Sequence, residues 1–476
     1  MAKCPCCGEE MTIAESGAPF CPKCDGKEPV AERGSLNPAV SGLKIEGGVL
    51  VGCAKDLAGD LIIPDGVTSI GERAFFGCTA LTSIAVPRGV TRIGTAAFNW
   101  CRGLKSLTVA IGNGVYHSAG DCLIETASGT LIRGCKNSVI PADGSVGVIG
   151  DHAFAVCEGL ESVVIPDGVT RIGAEAFHGC TSLREVVIPG SVTDIGWDAF
   201  RGCTSLASVT IPSGVTSIGS GAFSGCRALA AIDIPGSVTS IERDAFYDCR
   251  ALRSVNIADI EEWLATDLGS PSSCPMSRGA ELYVDGALVT DLVIPDGVTS
   301  IGDYAFYGCD SLVFVAIPDS VASIGNHAFG SCGALASTAV GKGVTSMGYC
   351  AFAGCDRLKN LTVAEGNSRY HSAGNCIIET ASKTLIAGCK ASVIPTDGSV
   401  TTIGYSAFED CTSLTSITIP GCVKRIESEA FYFCRSLASV VYGGTTEEWR
   451  AIEKGTEWDR DCPFTEVECS DGTVVV

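Results

Sequence analysis

Twelve copies of one signature, Ala-Phe-x-x-Cys, punctuate this chain, with their phenylalanines at Phe75, Phe98, Phe154, Phe177, Phe200, Phe223, Phe246, Phe306, Phe329, Phe352, Phe408 and Phe431. Eight of the eleven steps between them are 23 residues long, two are 56 and one is 60. A unit this short cannot bury its own apolar side, so successive units must stack on one another into a solenoid. Growth by addition needs no single round core, and it overrides the usual division of a 476-residue chain into about three domains.

The unit from Ile165 to Val187, IPDGVTRIGAEAFHGCTSLREVV, shows what each repeat contains. At its end Val186 and Ile188 alternate with Glu185 and Val187, the period of a strand with one buried face. Pro189 cannot donate to a ladder and closes that strand. A Gly-Ser or Asp-Gly turn then leads into Val-Thr-x-Ile-Gly, a second short apolar segment. The stretch Ala-Phe-x-x-Cys-x-x-Leu sets Phe, Cys and Leu three residues apart, the spacing of a single helical turn with Phe on its buried side. The expected fold is an α/β repeat solenoid of 23-residue units, strand-dominated, with short helical turns. The repeated cysteines are expected as buried thiols that pack as small apolar groups, because stacked side chains point the same way and are poorly placed for disulfides.

Both 56-residue steps carry one insertion, NGVYHSAGDCLIETASGTLIRGCKNSVIP at 113–141 and NSRYHSAGNCIIETASKTLIAGCKASVIP at 367–395, which reads as an added β-hairpin. His117 and His371 hold matching places in it. With no second histidine or carboxylate cluster beside either, they read as hydrogen-bonded structural residues. The 60-residue step is of another kind. Asp259-Ile-Glu-Glu262 before Trp263 and Thr445-Thr-Glu-Glu448 before Trp449 are helix-start patterns, their glutamates favoured by the helix dipole. The second lies where a solenoid must cover its last edge, and by analogy the first closes a segment. Asp285-Gly286 then restarts the chain with a hairpin. The expected organisation is a first solenoid segment at 43–268, a break at 269–280 and a second segment with its cap at 281–476.

Residues 1–24 belong to a different sequence class. Cys4 with Cys7 and Cys21 with Cys24 form two Cys-x-x-Cys pairs, and four thiolates complete a closed tetrahedral zinc site. A closed set leaves no position open for substrate, so a structural Zn2+ in a small zinc ribbon is expected, with Cys6 as a competing ligand. Residues 25–42 are polar, contain Pro and Gly, and read as a linker.

Hydrophobic residues at 46% with only 18% charged exclude a disordered chain. A formal net charge of -21 argues against nucleic acid as the main partner, since phosphate binding needs a basic surface. No run of 18 apolar residues is present to span a membrane, and the first residues lack the apolar core of a secretory signal. The expected location is therefore cytoplasmic, with the cell surface as the alternative.

The Ala-Phe-x-x-Cys-x-x-Leu and Ile-Pro-x-x-Val-Thr-x-Ile-Gly residues, across roughly 43–445, resemble the BspA-like class of bacterial leucine-rich repeats. That resemblance implies a right-handed leucine-rich repeat solenoid. It also implies the function often met in that class, a surface protein binding host proteins, matrix proteins or other cells.

The residues that the strands should leave open are mostly Ser, Thr and small apolar side chains, without an acid, base or nucleophile pair. Glu185, Val187, Ser208, Thr210, Asp233, Asn256 and Phe314 are the candidates on this concave face for contacting a protein or polymer. No catalytic residue is expected. The leading expectation is a non-enzymatic interaction scaffold, beside a surface adhesin or a zinc-ribbon recognition protein with the solenoid as spacer.

Overall fold

A computed structural model describes residues 42–476 and the backbone of Thr12–Ile13 and Pro19–Phe20. The chain divides into two compact units, Met1–Leu43 and Lys44–Val476. In the first, Thr12–Ile13 pairs antiparallel with Pro19–Phe20. The four candidate zinc ligands Cys4, Cys7, Cys21 and Cys24 lie outside the described residues.

The second unit is a strand-dominated solenoid in which each repeat places one strand in each of two parallel ladders. Ser162–Val164, Glu185–Val187 and Ser208–Val209 pair in register in one of them. Arg171–Ile172, Asp194–Ile195, Ser217–Ile218 and Ser240–Ile241 pair in register in the other. Adjacent partners are 23 residues apart (Ile172 with Ile195, for example), so the sequence period is the stacking period. Gly219 shows how close the stacking is: a Cβ there would sit 2.7 Å from the backbone carbonyl carbon of Gly196 one unit earlier.

The third side of each repeat is where the structure departs from the expected helical turn. Amide direction alternates there. The N–H groups of His152, Phe154 and Val156 donate to the carbonyls of Ala174, Ala176 and His178 in the next unit, while those of Ala153, Ala155 and Cys157 close local turns onto Gly150, His152 and Phe154. An α-helix would send every amide back along its own chain. Two left-handed residues per turn enforce the alternation. One precedes Ala-Phe (Glu175 at φ 51°, His327 at 50°), and the other precedes Cys (Gly179 at 68°, Asp410 at 54°).

This geometry stacks the phenylalanines. Phe154, Phe177, Phe200, Phe223 and Phe246 lie nearly parallel with ring centroids 5.0, 5.2, 5.5 and 5.6 Å apart, each at most 1% exposed. Burial of such a ring contributes about 2–3 kcal/mol before packing is counted. Beside them the cysteines form a second column that is more than apolar filler. Cys180, Cys203, Cys226 and Cys249 each donate Sγ–H to the carbonyl of the phenylalanine one unit upstream, at 3.1 to 3.2 Å. All 22 described cysteines are free thiols.

Each insertion adds a three-stranded element. Tyr116–Ala119 runs antiparallel to Cys122–Glu125, which runs antiparallel to Thr130–Arg133, and that last strand joins the ladder parallel to Val148–Ile149. The central strand is buried on both faces. In the second copy Ile377 belongs to one apolar core, while Cys376 and Ile378 belong to the next. Alternate side chains of one strand therefore serve two cores. The histidines are hydrogen-bonded as expected, His117 Nδ1 to Thr126 Oγ1 and His371 Nδ1 to Thr380 Oγ1, both at 2.9 Å.

At the 60-residue step a variant unit replaces the regular one. Asp259 caps the helix Ile260–Leu264 by accepting from Glu261 and Glu262 amides, and Thr445 with Glu448 forms a full capping box on Thr446–Ala451. Asp267–Leu268 ends one ladder, and the hairpin of Glu281–Val284 with Ala287–Leu288 ends the other. The hydrophobic core does not end there. It runs unbroken from Val255 and Trp263 through Cys274 and Met276 to Phe306. Trp263 Nε1 donates to the Ala305 carbonyl at 2.8 Å across the step.

Candidate interaction face

The exposed side of the strand ladder is built by a simple alternation. In each Val-Ile-Pro or related sequence, the residue before Ile stands outward and the Ile packs inward. Val187 is exposed next to buried Ile188, as Val164 is next to Ile165. Pro then ends the strand, so the outward residue sits close to the ladder's edge.

Register brings six of the seven candidate residues together. Glu185 pairs with Ser208, and Val187 occupies the outward place two residues on in the same strand. Thr210 bridges to Asp233, and Asp233 pairs with Asn256. Asn256 Nδ2 donates to Asp233 Oδ1 at 2.9 Å, and Asn256 Oδ1 accepts from the Gly286 amide at 2.9 Å. These side chains are thus held in a polar strip. Tyr283, paired with Asn256, continues it, and the hydrogen bond of its hydroxyl to Glu281 pushes its pKa up. Phe314 is placed apart, half-buried in a separate ladder between Asp291 and Ser337.

Two apolar grooves flank these positions. One of about 710 Å³ is lined by Val139, Val164, Val187, Pro166 and Pro189. The other, of about 390 Å³, is lined by Val293, Ala316, Ala339, Pro295 and Pro318. Val139 is 72% exposed, Val164 65% and Val293 65%, so these grooves present apolar side chains to solvent. Val139 and Val293 were not among the sequence candidates. Their signal was available: each is the Val of a Val-Ile-Pro triplet, where other units carry Thr210 or Asp233.

A row of aromatic side chains on the turn side also went unnoticed in the sequence. Tyr304 stacks on His327 at 5.5 Å, His327 meets Tyr349 edge-on at 5.7 Å, and Tyr349 meets Tyr405 edge-on at 5.9 Å. Tyr405 donates to Glu429 at 2.7 Å, and that bond raises its pKa to about 12. These residues fall at the two variable positions before Ala-Phe, where no period marks them.

Among the described residues no group of three or more His, Cys, Asp and Glu is placed to hold a metal ion. No described helix is long and apolar enough to cross a membrane.

Ladders of this register, with a Phe and a Cys column behind them, define a leucine-rich repeat protein. The family described as BspA type leucine rich repeat region (6 copies) matches residues 54–119, 147–264, 282–379 and 374–451. The chain belongs to that family. Among solved structures it is similar to a leucine rich cell surface protein from Faecalibacterium prausnitzii A2-165, at 27% identity over 85% of this chain and 93% of that one, with a TM-score of 0.43. It is also similar to a leucine-rich repeat protein from Bacteroides ovatus ATCC 8483, at 24% identity over 88% and 94%, TM-score 0.46. A leucine rich repeat protein of T. pallidum is 28% identical over 43% of this chain and 82% of that one, TM-score 0.27. Among proteins with curated descriptions, none matches.

Proposed function

We propose that this protein is a non-enzymatic scaffold that binds a protein or polymer through the open face of its strand ladder. The observation that carries this reading is the row of outward Val-Ile-Pro valines beside the Asp233–Asn256 strip: exposed apolar side chains held rigidly next to fixed polar ones. Such a surface sets exposed apolar side chains beside fixed polar ones along one ladder, and protein recognition sites combine the two kinds of contact. Its residues offer shape and hydrogen bonds, with no general base or nucleophile set among them.

The test is capture of partners from extract by the full chain and by Val164→Asp with Val187→Asp, followed by binding measured with the purified partner. A partner retained by the parent and lost at least about tenfold by the double variant supports the reading. Equal binding by both sinks it.

Family membership favours a second reading, an adhesin on the cell surface. The thiol column favours a reducing compartment, and hence the cytoplasm, because most of its Sγ–H groups, those of Cys180, Cys203, Cys226, Cys249, Cys332, Cys355 and Cys434 among them, donate to backbone carbonyls as free thiols. Fractionation of cells expressing the tagged chain separates the two. The two Cys-x-x-Cys pairs are proposed to hold one structural zinc, on their spacing alone. Elemental analysis of protein purified without added metal, beside Cys4→Ser and Cys21→Ser variants, tests it: one zinc per chain lost in both variants is the expected result.

A further inference from the structure

In regular stacking, the outward amides of one turn find carbonyls in the next: Arg73, Phe75 and Gly77 donate to Thr95, Ala97 and Asn99. The next turn, carrying Phe98, faces the first insertion. There the Gly134 amide takes the carbonyl of Ala153, and Arg133 Nη2 takes that of Ala155 at 3.1 Å. The amides of Ala96, Phe98 and Trp100 are left without an acceptor among the described residues.

Two of these, Ala96 and Phe98, border a cavity of about 200 Å³ whose walls include Asn99, Thr130, Arg133 and Asp151. Arg133 is 2% exposed. Its Nη1 donates to the His152 carbonyl at 2.9 Å, while its Nε is buried without any partner. No carboxylate pairs with this guanidinium among the described residues. Asp151 is engaged away from it, accepting from the Ala174 amide at 2.9 Å and lying 3.9 Å from Arg171. The second insertion shares the two open amides, those of Cys350 and Phe352, but not the cation: Ala387 stands in the place of Arg133, and the third amide, of Gly354, reaches the Glu409 carbonyl directly at 3.3 Å.

A buried cation facing unpaired backbone donors is a costly arrangement unless an acceptor with negative charge completes it. Successive backbone amides beside a guanidinium are the donors that oxyanions take. We infer that this cavity binds an oxyanion, a carboxylate or phosphate group, with Arg133 as its charge partner and the Ala96 and Phe98 amides as additional donors. The site is separate from the strand face and does not depend on it.

The test titrates the full chain calorimetrically with inorganic phosphate and, separately, with acetate, in chloride buffer. The variants are Arg133→Ala, which copies Ala387, and Asn99→Asp, which adds a negative charge at the cavity wall. Thermal unfolding of each shows that it is folded. Saturable one-site binding of either anion, weakened about tenfold or more in a folded variant, is the expected result, and the anion that binds identifies the chemistry. No binding of either anion by the parent chain, or binding that both variants leave unchanged, overturns it.

Discussion

Cys203 Sγ lies 3.2 Å from the carbonyl oxygen of Phe177, one unit upstream, and that oxygen already accepts the amide of Cys180. The thiol thus uses a second lone pair on a buried carbonyl, and the same arrangement repeats along the column. Cys203→Ala removes one weak hydrogen bond and leaves a sulfur-sized void while the carbonyl keeps its amide. The expected loss is about 1–2 kcal/mol by denaturant unfolding. Cys203→Ser restores a donor and is expected to behave differently from alanine. Burial pushes the Cys203 thiol well above its ordinary pKa, so a thiol reagent should leave it unmodified in the native chain and label it on denaturation.

Gly219 sets the separation of two turns. A methyl group there would meet the Gly196 carbonyl carbon at 2.7 Å, and backbone cannot swing aside as a side chain can. Gly219→Ala is expected to cost about 1–3 kcal/mol, the range for overpacking, although alanine is ordinarily the less flexible residue in the unfolded state. Glycines in open turns supply the control: Gly190→Ala, with nothing within 4 Å of its Cβ, should change the midpoint little.

The parts of this fold legible in the sequence are those fixed by local chemistry or by strict recurrence. Asp259 and Thr445 were readable as helix caps because a side-chain oxygen there has only nearby amides to serve. Asp285-Gly286 was readable as a tight turn, and both residues adopt positive φ, 46° and 76°. The 23-residue step fixed the register of every regular ladder pair. What escaped is what depends on neighbours. Three-residue spacing of Phe, Cys and Leu suits a helical turn equally well, and only the left-handed residues before Ala-Phe and before Cys, most of them not glycine, exclude it. Val139 and Val293 escaped because Val fits a strand facing either way. Arg133 escaped because a single arginine in an insertion says nothing of the amides that the insertion strands.

His327 gives the pH dependence a sign. It is packed among Tyr304, Tyr307 and Tyr349, and burial lowers its pKa, opposed by the charges of Glu409 and Asp303. A folded value below the unfolded one means that the unfolded chain takes up the proton first as pH falls. The stability contributed by neutral His327 is therefore complete above about 6.5 and is lost as pH drops from there through the folded value. The parent chain should lose more stability between pH 7 and pH 5 than His327→Gln does. Urea midpoints at both pH values check this, and equal losses would remove His327 as the cause.

Trp263 ties the two sides of the 60-residue step together, with its Nε1 on the Ala305 carbonyl and its ring 4% exposed within the core that continues to Phe306. Trp263→Phe keeps most of the apolar contact and strands that carbonyl, which should cost about 1–3 kcal/mol. Trp263→Ala removes the ring as well and should cost about 3–5 kcal/mol. In a repeat array the larger deficit falls at one interface between neighbours, so it should also divide the transition. The parent chain is expected to unfold residues on both sides of the step together, followed by hydrogen exchange of peptides from 217–257 and 300–340. Trp263→Ala is expected to separate them. Coupled exchange that survives the alanine substitution would place the coupling in other core side chains across the step instead, among them Cys274, Met276 and Leu282.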